Sequence, residues 1–283
     1  MFFQTTPPLI QWLEENHLID PLELKEDTKV HTLFVDNNVL DEHFDIEKCS
    51  SNKEEIIQST IKQLDEIYHF WMPKETFFYS VDGTRPVSRY QTLRCKKLKK
   101  AVQERINRRF QYPDERTYKN ETSNQDLEIF DNAIRQYFTD LKAKNEEHTE
   151  RFIFSCEFTP GESEQKFFNY FRRWRNSTEY VPRQNHFILS NNLETVLYSL
   201  KFLNEKIFII YTLNEKNYKI IDISKLRKYF LDKIPATRRN NIAEGRVIDD
   251  YIGLMLIVEN KFIQRLKLFG NIFITYSSIL QAY

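Results

Sequence analysis

Short runs of β-branched and aromatic residues alternate with amphipathic helical segments along most of the chain. Between the first two runs, apolar side chains recur at helical spacing from Ile57 to Trp71, after a capping-box pattern of Ser51 and Glu54. The runs predicted as strands are Val30–Val35, Thr76–Val81, Arg151–Glu157, His186–Leu189, Lys206–Tyr211 and Tyr218–Ile223. This alternation is typical of an α/β domain, so we predict a mostly parallel central sheet flanked by helices.

The composition limits the class of protein. Hydrophobic residues make up 41% of the 283 residues, enough to build a core, which excludes global disorder. The 41 basic and 41 acidic residues cancel, which excludes a uniformly basic nucleic-acid coat but permits a local basic stripe. Cys49, Cys95 and Cys156 lack the spacing of a zinc ribbon or a disulfide scaffold. Because there is no apolar run of ~18 residues and no signal-peptide pattern, we expect an intracellular protein, cytoplasmic or nuclear, with no membrane partner.

Carboxylates end or closely follow four of the predicted strands. Asp36 ends the first and Asp82 the second, Glu162 and Glu164 follow the third, and Glu194 follows the fourth. Since ligands of an open parallel sheet lie beyond the carboxyl ends of its strands, these side chains are expected to meet at one edge. Carboxylates gathered there repel one another unless cations neutralise them, and Mg²⁺ or Mn²⁺ suits oxygen ligands. The pattern favours metal-dependent phosphodiester chemistry, although each acid taken singly is more often a helix or turn cap.

A basic segment begins directly after Asp82. From Arg85 to Arg109 there are ten Lys and Arg residues and one acid. On charge patterning alone, this segment reads as a solvated helix face. Its position favours another interpretation, because a helix N-terminus and basic side chains beside a metal cluster are suited to a phosphate.

These motifs, in this order, resemble the first conserved region of the XRN family of 5′→3′ exoribonucleases. LFVDNN (33–38) resembles the family's first acidic strand, and SVDGTRPVSRYQTLRCKK (80–97) resembles its Asp-Gly strand and 5′-phosphate helix. CEFTPGESEQKFFNYFR (156–172) is the most specific match, since the family reads Pro-Gly-Glu-Gly-Glu-His-Lys there, and NHFILSNNLETVL (185–197) resembles the paired-Asp strand. The resemblance implies a PIN/flap-endonuclease-like fold and a single nuclease domain over residues 1–283, without the family's second conserved region.

The resemblance also implies that one of the family's two metal clusters is kept. The carboxylates that match this cluster are Asp36, Asp82, Glu162 and Glu164. The phosphate-binding helix keeps its charge, with basic residues at Arg89, Arg94, Lys96 and Lys97. We therefore expect one Mg²⁺ or Mn²⁺ ion and an RNA partner with a 5′-monophosphate.

The family's second metal cluster is degraded. Asn192 replaces the first Asp of the paired-Asp strand, Glu194 replaces the second, and Lys261 replaces the last Asp of the cluster. A divalent ion beside an ammonium group costs about 4 kcal/mol per unit charge pair at an effective dielectric near 20. The second metal is therefore expected to be absent, and loss of such an electrostatic stabiliser lowers catalytic rates by ~10²–10³.

Three functions stay open from the sequence. The first, which we favour, is an XRN-like domain with impaired or absent hydrolysis that binds RNA or a ribonucleoprotein partner. The second is an active 5′→3′ exoribonuclease working with one main metal site, in which Lys261 supplies the charge of the missing metal. The third is a structural subunit for protein contacts, for which the acidic stretch 114–150 would be suited.

Overall fold

The computed structural model describes residues 8–22, 28–40, 53–83, 124–144, 150–192, 194–212, 218–233 and 243–258. Its strands are β1 (Asp20–Pro21), β2 (Thr32–Asp36), β3 (Thr76–Ser80), β4 (Arg151–Ser155), β5 (Asn185–Leu189), β6 (Lys206–Thr212) and β7 (Tyr218–Asp222). Its helices are α1 (Pro8–Glu15), α2 (Lys53–Trp71), α3 (Asn124–Lys144), α4 (Ser163–Arg175), α5 (Glu194–Leu200), α6 (Ile223–Lys233) and α7 (Glu244–Val258). A 3₁₀ turn, Asn37–Val39, follows β2 directly.

Within the described residues, the strands form one sheet in the order β1-β7-β6-β5-β2-β3-β4. The five strands from β6 to β4 run parallel to their neighbours, whereas β7 and β1 pair in antiparallel fashion. Asp36 pairs with Ser80, and Val35 pairs with Leu189, so β2, β3 and β5 end at the same level. The predicted mostly parallel sheet is therefore confirmed.

Helices cover both faces of the sheet centre, which is why every side chain of β2 and β3 is buried. On one face, helices α1, α4, α5, α6 and α7 contribute to the core, and Phe34 stacks on Phe167 with ring centroids 4.5 Å apart. On the other face, α2 and α3 pack on the sheet, and Phe77 stacks on Phe138 at 5.6 Å. The two cores hold the carboxyl ends of the central strands in fixed positions.

The predicted elements occur with small shifts at their ends. The first predicted strand, Val30–Val35, begins at Thr32, and the helix predicted over Ile57 to Trp71 begins at Lys53. The basic stretch that follows Gly83 lies outside the described residues, so its predicted helix stays a prediction. In the described part of the chain, no helix has the length and apolar character needed to cross a membrane.

Candidate functional site

The carboxyl edge of the parallel strands gathers the acidic side chains. Asp36 ends β2, Asp82 lies two residues beyond the end of β3, and Glu162 is the N-cap of α4. Glu164 lies in the first turn of α4, and Glu194 begins α5 after β5. The structure thus brings the five predicted carboxylates to one edge of the sheet, as parallel strands require.

Asp36 is fully buried at the end of β2. Its Oδ1 accepts hydrogen bonds from the backbone N–H and the side-chain Nδ2 of Asn38, at 3.1 and 3.0 Å. Its Oδ2 accepts one from the Ser190 hydroxyl at 3.0 Å. Burial, and then the negative charge of Asp82, raise the pKa of Asp36 to about 6. A cation placed nearby would favour the ionised form again.

Ser163 interacts with both Asp36 and Asp82 at this edge. Its backbone N–H donates to Asp82 Oδ1 at 2.9 Å, and its hydroxyl donates to the Ser80 carbonyl at 2.7 Å. The same side chain interacts with Asp36 and lowers the pKa of that carboxyl, against the effect of burial. Ser163 is the first residue of α4, where unsatisfied N–H groups and the helix dipole favour negative charge.

Three further carboxylates form a tight cluster on this edge. One oxygen from each of Glu162, Glu164 and Glu194 lies within 4.8 Å of the other two, with the first two residues buried and the third half-buried. Glu162 is fixed by a capping box with Gln165, whose Oε1 accepts the Glu162 N–H at 3.3 Å. Three anionic oxygens this close repel one another, and a hard divalent cation relieves that repulsion. The donor set therefore fits Mg²⁺ or Mn²⁺.

Asn192 lies beside this acidic cluster and contacts it directly. Its Oδ1 accepts the backbone N–H of Glu194 at 3.1 Å. Its Nδ2 then faces the other way and donates to Glu164 Oε1 at 2.5 Å. In the reverse orientation, the amide nitrogen of Asn192 would face the backbone N–H of Glu194, and both groups are donors. The hydrogen bonds therefore assign the orientation described here. Asn192 thus satisfies Glu164 with a neutral donor.

Two glycines permit the close approach of the loops after β3 and β4. The N–H of Gly83 donates to the Gly161 carbonyl at 2.9 Å. A Cβ on Gly83 would lie 1.9 Å from the Thr159 carbonyl oxygen. This distance is too short for any side chain unless the backbone moves. Gly161 has a φ of +107°, a conformation that side-chain-bearing residues rarely adopt. These requirements explain why two of the five glycines of the chain lie here.

A buried lysine fastens the same two strand ends. Lys166 donates from Nζ to the Val81 carbonyl at 2.7 Å and to the Cys156 carbonyl at 2.6 Å. Burial lowers the pKa of Lys166 to about 8, while the charges of Asp82 and Glu157 act in the opposite direction. Lys166 therefore positions Asp82 by holding the backbone on its N-terminal side.

Other residues predicted from the sequence lie outside the described part of the chain. They are the phosphate-binding candidates Arg89, Arg94, Lys96 and Lys97, and the degraded metal position Lys261. Their placement stays a prediction. The expected division of the carboxylates into a complete first cluster and a degraded second one also stays a prediction.

Sequence reasoning missed three polar side chains that organise this edge, namely Ser163, Ser190 and Lys166. Ser163 stands at the second Gly of the motif that PGESEQK resembles, and Lys166 stands at its Lys. A side chain in place of a motif glycine is a signal that the sequence does contain. Ser190 carries no such signal, because its contact with Asp36 depends on the pairing of β5 with β2.

The mostly parallel sheet with flanking helices is an α/β fold of the flap-endonuclease and PIN type. The chain belongs to the family described as XRN 5'-3' exonuclease N-terminus, whose sequence model matches residues 5–212.

Two curated relatives are similar over most of the chain. The 5'-3' exoribonuclease 1 of Saccharomyces cerevisiae is 21% identical over 281 residues, covering 87% of this chain and 18% of the yeast protein. The human protein of the same name is 22% identical over 308 residues, covering 92% of this chain and 17% of its own length. The chain therefore spans less than a fifth of the length of these relatives.

A solved structure supports the same architecture. The catalytic core of Rad2 in complex with DNA substrate has a TM-score of 0.50 and 15% identity, covering 95% of this chain and 66% of that structure. At this level of identity, the likeness establishes the fold and no more.

Proposed function

We propose that the chain is an XRN-like nuclease-fold domain that binds RNA through a 5′-monophosphate end and hydrolyses it poorly or not at all. Membership of the XRN family supports the link to RNA. The observation that carries the proposal of impaired hydrolysis is the hydrogen bond from the Asn192 amide to Glu164.

The chemistry of that hydrogen bond bears on metal binding. An aspartate in place of Asn192 would direct an anionic oxygen at Glu164, and two such oxygens need a shared cation or proton. The amide of Asn192 supplies a donor instead, so Glu164 is satisfied without a cation on that side. Lys261, which the sequence comparison with the family motif assigns to the same cluster, removes a further ligand. The domain therefore lacks the carboxylates that a second metal would need.

The remaining acidic residues retain the capacity to hold one ion. Glu162, Glu164 and Glu194 would hold Mg²⁺ or Mn²⁺, with Asp36 and Asp82 close by on the same edge. A bound ion of this kind polarises phosphoryl oxygens and lowers the pKa of a coordinated water. Ser163 and Lys166 keep Asp82 in place, and Asn38 and Ser190 orient Asp36.

The proposed contact with the RNA end involves the basic segment that leaves this edge. Arg89, Arg94, Lys96 and Lys97 follow Gly83 by 6 to 14 residues in the sequence. Because Gly83 is tied to the loop before Glu162, the segment starts next to the acidic edge. Basic side chains there would bind the terminal phosphate by charge-assisted hydrogen bonds.

A second candidate is a slow 5′→3′ exoribonuclease that uses one metal ion. The close approach of Glu162, Glu164 and Glu194 favours it, because the ligands for one ion are present.

The two candidates are separated by restoring the missing carboxylates. We expect wild type to leave 5′-monophosphorylated RNA intact in Mg²⁺, and the double variant Asn192→Asp with Lys261→Asp to degrade it. Product lengths on a denaturing gel report the direction of decay. Asn191→Asp with Lys228→Asp makes the same charge changes at the residue before Asn192 and on the exposed surface of α6. It is the matched control and should stay inactive.

Decay by the wild-type protein in Mn²⁺ that disappears in both Asp36→Ala and Glu164→Ala would establish the one-metal nuclease instead. RNA binding is measured separately in EDTA. Binding that survives the combined change of Arg89, Lys96 and Lys97 to Ala would contradict the proposed phosphate contact. Absence of both decay and RNA binding would leave a structural, protein-binding role.

A further inference from the structure

The edge of the sheet opposite the acidic cluster carries basic residues at the start of every parallel strand. Lys29 and Lys74 precede β2 and β3, Arg183 precedes β5, and Arg151 and Lys206 begin β4 and β6. Four of these residues are exposed and Arg151 is half-exposed. The register aligns them, since Thr76 pairs with Arg151 and Asn185 pairs with Lys206. We call these five residues, together with the arginines of the α4 C-terminus introduced next, the basic face.

The C-terminal turn of α4 adds three exposed arginines to this edge: Arg172, Arg173 and Arg175. Arg175 lies against the start of β6, with its Nε 3.6 Å from Glu205 Oε1. Arg151 lies over the ring of Trp174 at 5.0 Å. These contacts connect α4 with β4 and with the residue before β6, so the charges form one surface rather than isolated side chains.

Ordinary structural roles account for only part of this charge. Basic residues in the last turn of a helix offset its dipole, which explains Arg172, Arg173 and Arg175. The dipole effect fades within one turn, and it does not explain the bases on five separate strands. The side chains of Arg173 and Arg183 have no hydrogen bond or ion pair to any residue that the structure describes. Two acids offset part of the charge, since Glu179 lies 3.7 Å from Arg151 and Glu205 lies 3.6 Å from Arg175.

We propose that the basic face is a second RNA-binding surface, which holds the phosphates of a strand whose 5′ end lies at the acidic edge. This inference rests on the proposed function for its RNA partner. Helix α4 links the two sites, because its N-terminus carries Glu162 and Glu164 and its C-terminus carries the arginines. Its 13 residues span roughly 20 Å. An RNA whose 5′ end lies at the acidic edge must therefore be long enough to span this distance and reach the basic face.

Phosphate is favoured over an acidic protein segment as the ligand. Arginine makes up five of the eight bases of the basic face, and its planar fork binds phosphate in bidentate fashion. The bases also recur along a row of strand starts, as suits a polymer with evenly spaced charges. Binding of an acidic polypeptide is treated as a competing outcome of the test.

The test uses Arg173→Gln with Arg183→Gln, since neither side chain has a partner whose loss would disturb the described fold. Lys62→Gln with Lys142→Gln removes the same charge from the outer surfaces of α2 and α3 and is the matched control. Affinity for a 3′-labelled, 5′-monophosphorylated RNA of about 20 nucleotides is measured in EDTA over a range of salt concentrations, beside an RNA of about 4 nucleotides.

We expect the arginine variant to bind the longer RNA more weakly than both wild type and the lysine variant. Loss of two phosphate contacts makes the slope of log affinity against log salt shallower by about 1.4. The short RNA should bind all three proteins equally.

Equal binding of the longer RNA by the arginine and lysine variants would overturn the basic face as an RNA surface. Dependence on Arg89, Lys96 and Lys97 would then still support the proposed function. The arginine variant could instead lose binding to polyglutamate while its RNA binding is unchanged. That result would assign the surface to an acidic protein and also overturn the proposal. Absence of any RNA binding by wild type would overturn the proposed function and this inference together.

Discussion

Asp36 is an example of a side chain that costs the folded protein stability at the place where function is expected. It is buried, it lies near the charge of Asp82, and three hydrogen-bonding groups offset this cost only in part. Because its pKa is raised from 3.8 to about 6, the unfolded chain releases this proton at a lower pH than the folded protein does. The contribution of Asp36 to the free energy of unfolding is therefore greatest below about pH 4, and it is lost as the pH rises to about 6.

We expect Asp36→Asn to stabilise the metal-free protein above pH 6. The gain should be at most about 3 kcal/mol, because each unit by which the pKa is raised represents 1.36 kcal/mol. The amide keeps an acceptor for Asn38 and presents a donor to Ser190. Urea denaturation in EDTA at pH 4 and pH 7.5 measures the free energy of unfolding. The gain should be present at the higher pH and absent at the lower one.

Asp140→Asn, on the exposed surface of α3, is the control and should change stability little at either pH. A loss of stability in Asp36→Asn at pH 7.5 would show that the charge of Asp36 is compensated by a contact other than those described.

The sequence predicted that five carboxylates meet at one edge of the sheet because each follows an apolar run, and strand ends are local features; they are Asp36, Asp82, Glu162, Glu164 and Glu194. It could not reveal the partners of these residues, since Ser190 and Asp36 are 154 residues apart and meet only through strand pairing. The same holds for the orientation of Asn192. Its identity is visible in the sequence, but its hydrogen bond to Glu164 depends on how α4 and α5 lie beside each other.

At the scale of elements, the loops after β3 and β4 depend on a very close contact. Gly83 lies where any side chain would overlap the Thr159 carbonyl, and Lys166 binds carbonyls from both strand ends. The geometry of Asp82 therefore depends on neighbours that carry none of the proposed chemistry.

We expect Gly83→Ala to destabilise the protein by several kcal/mol, since the backbone of one loop must move and the Gly83–Gly161 hydrogen bond is lost. Gly253→Ala, in α7, is the matched control, because its Cβ would meet nothing within 4 Å. That change should stabilise the protein by about 1 kcal/mol through helix propensity. Thermal unfolding of the two variants measures both effects, and equal melting temperatures would contradict the described overlap.

Element prediction succeeded where residues repeat with a clear period. The strands β2, β3 and β5 are rich in apolar residues because they are buried at the centre of the sheet, and α2 shows its apolar face over five turns. With two residues, β1 is too short to show a periodic pattern, and it forms because Asp20 and Pro21 pair with β7. Tertiary pairing, rather than local propensity, decides such an element.

At the scale of the whole molecule, the proposed metal site would link the stability of the fold to metal concentration. An ion that binds the folded chain alone raises its stability by about 2.7 kcal/mol at a hundredfold excess over the dissociation constant. We expect the melting temperature to rise with Mn²⁺ and to return to its starting value in EDTA. Glu164→Gln should abolish the rise, because it removes a carboxylate from the Glu162, Glu164 and Glu194 group.

Glu128→Gln, on the exposed surface of α3, is the control and should leave the response to Mn²⁺ unchanged. A rise of equal size in Glu164→Gln would mean that the ion binds elsewhere on the chain.

The direction of the parallel strands places the carboxylates of the acidic edge and the bases of the basic face at opposite ends of the sheet. Long-range attraction between the basic face and the phosphates of an RNA would act before any contact is made, and this attraction would fade as salt is added.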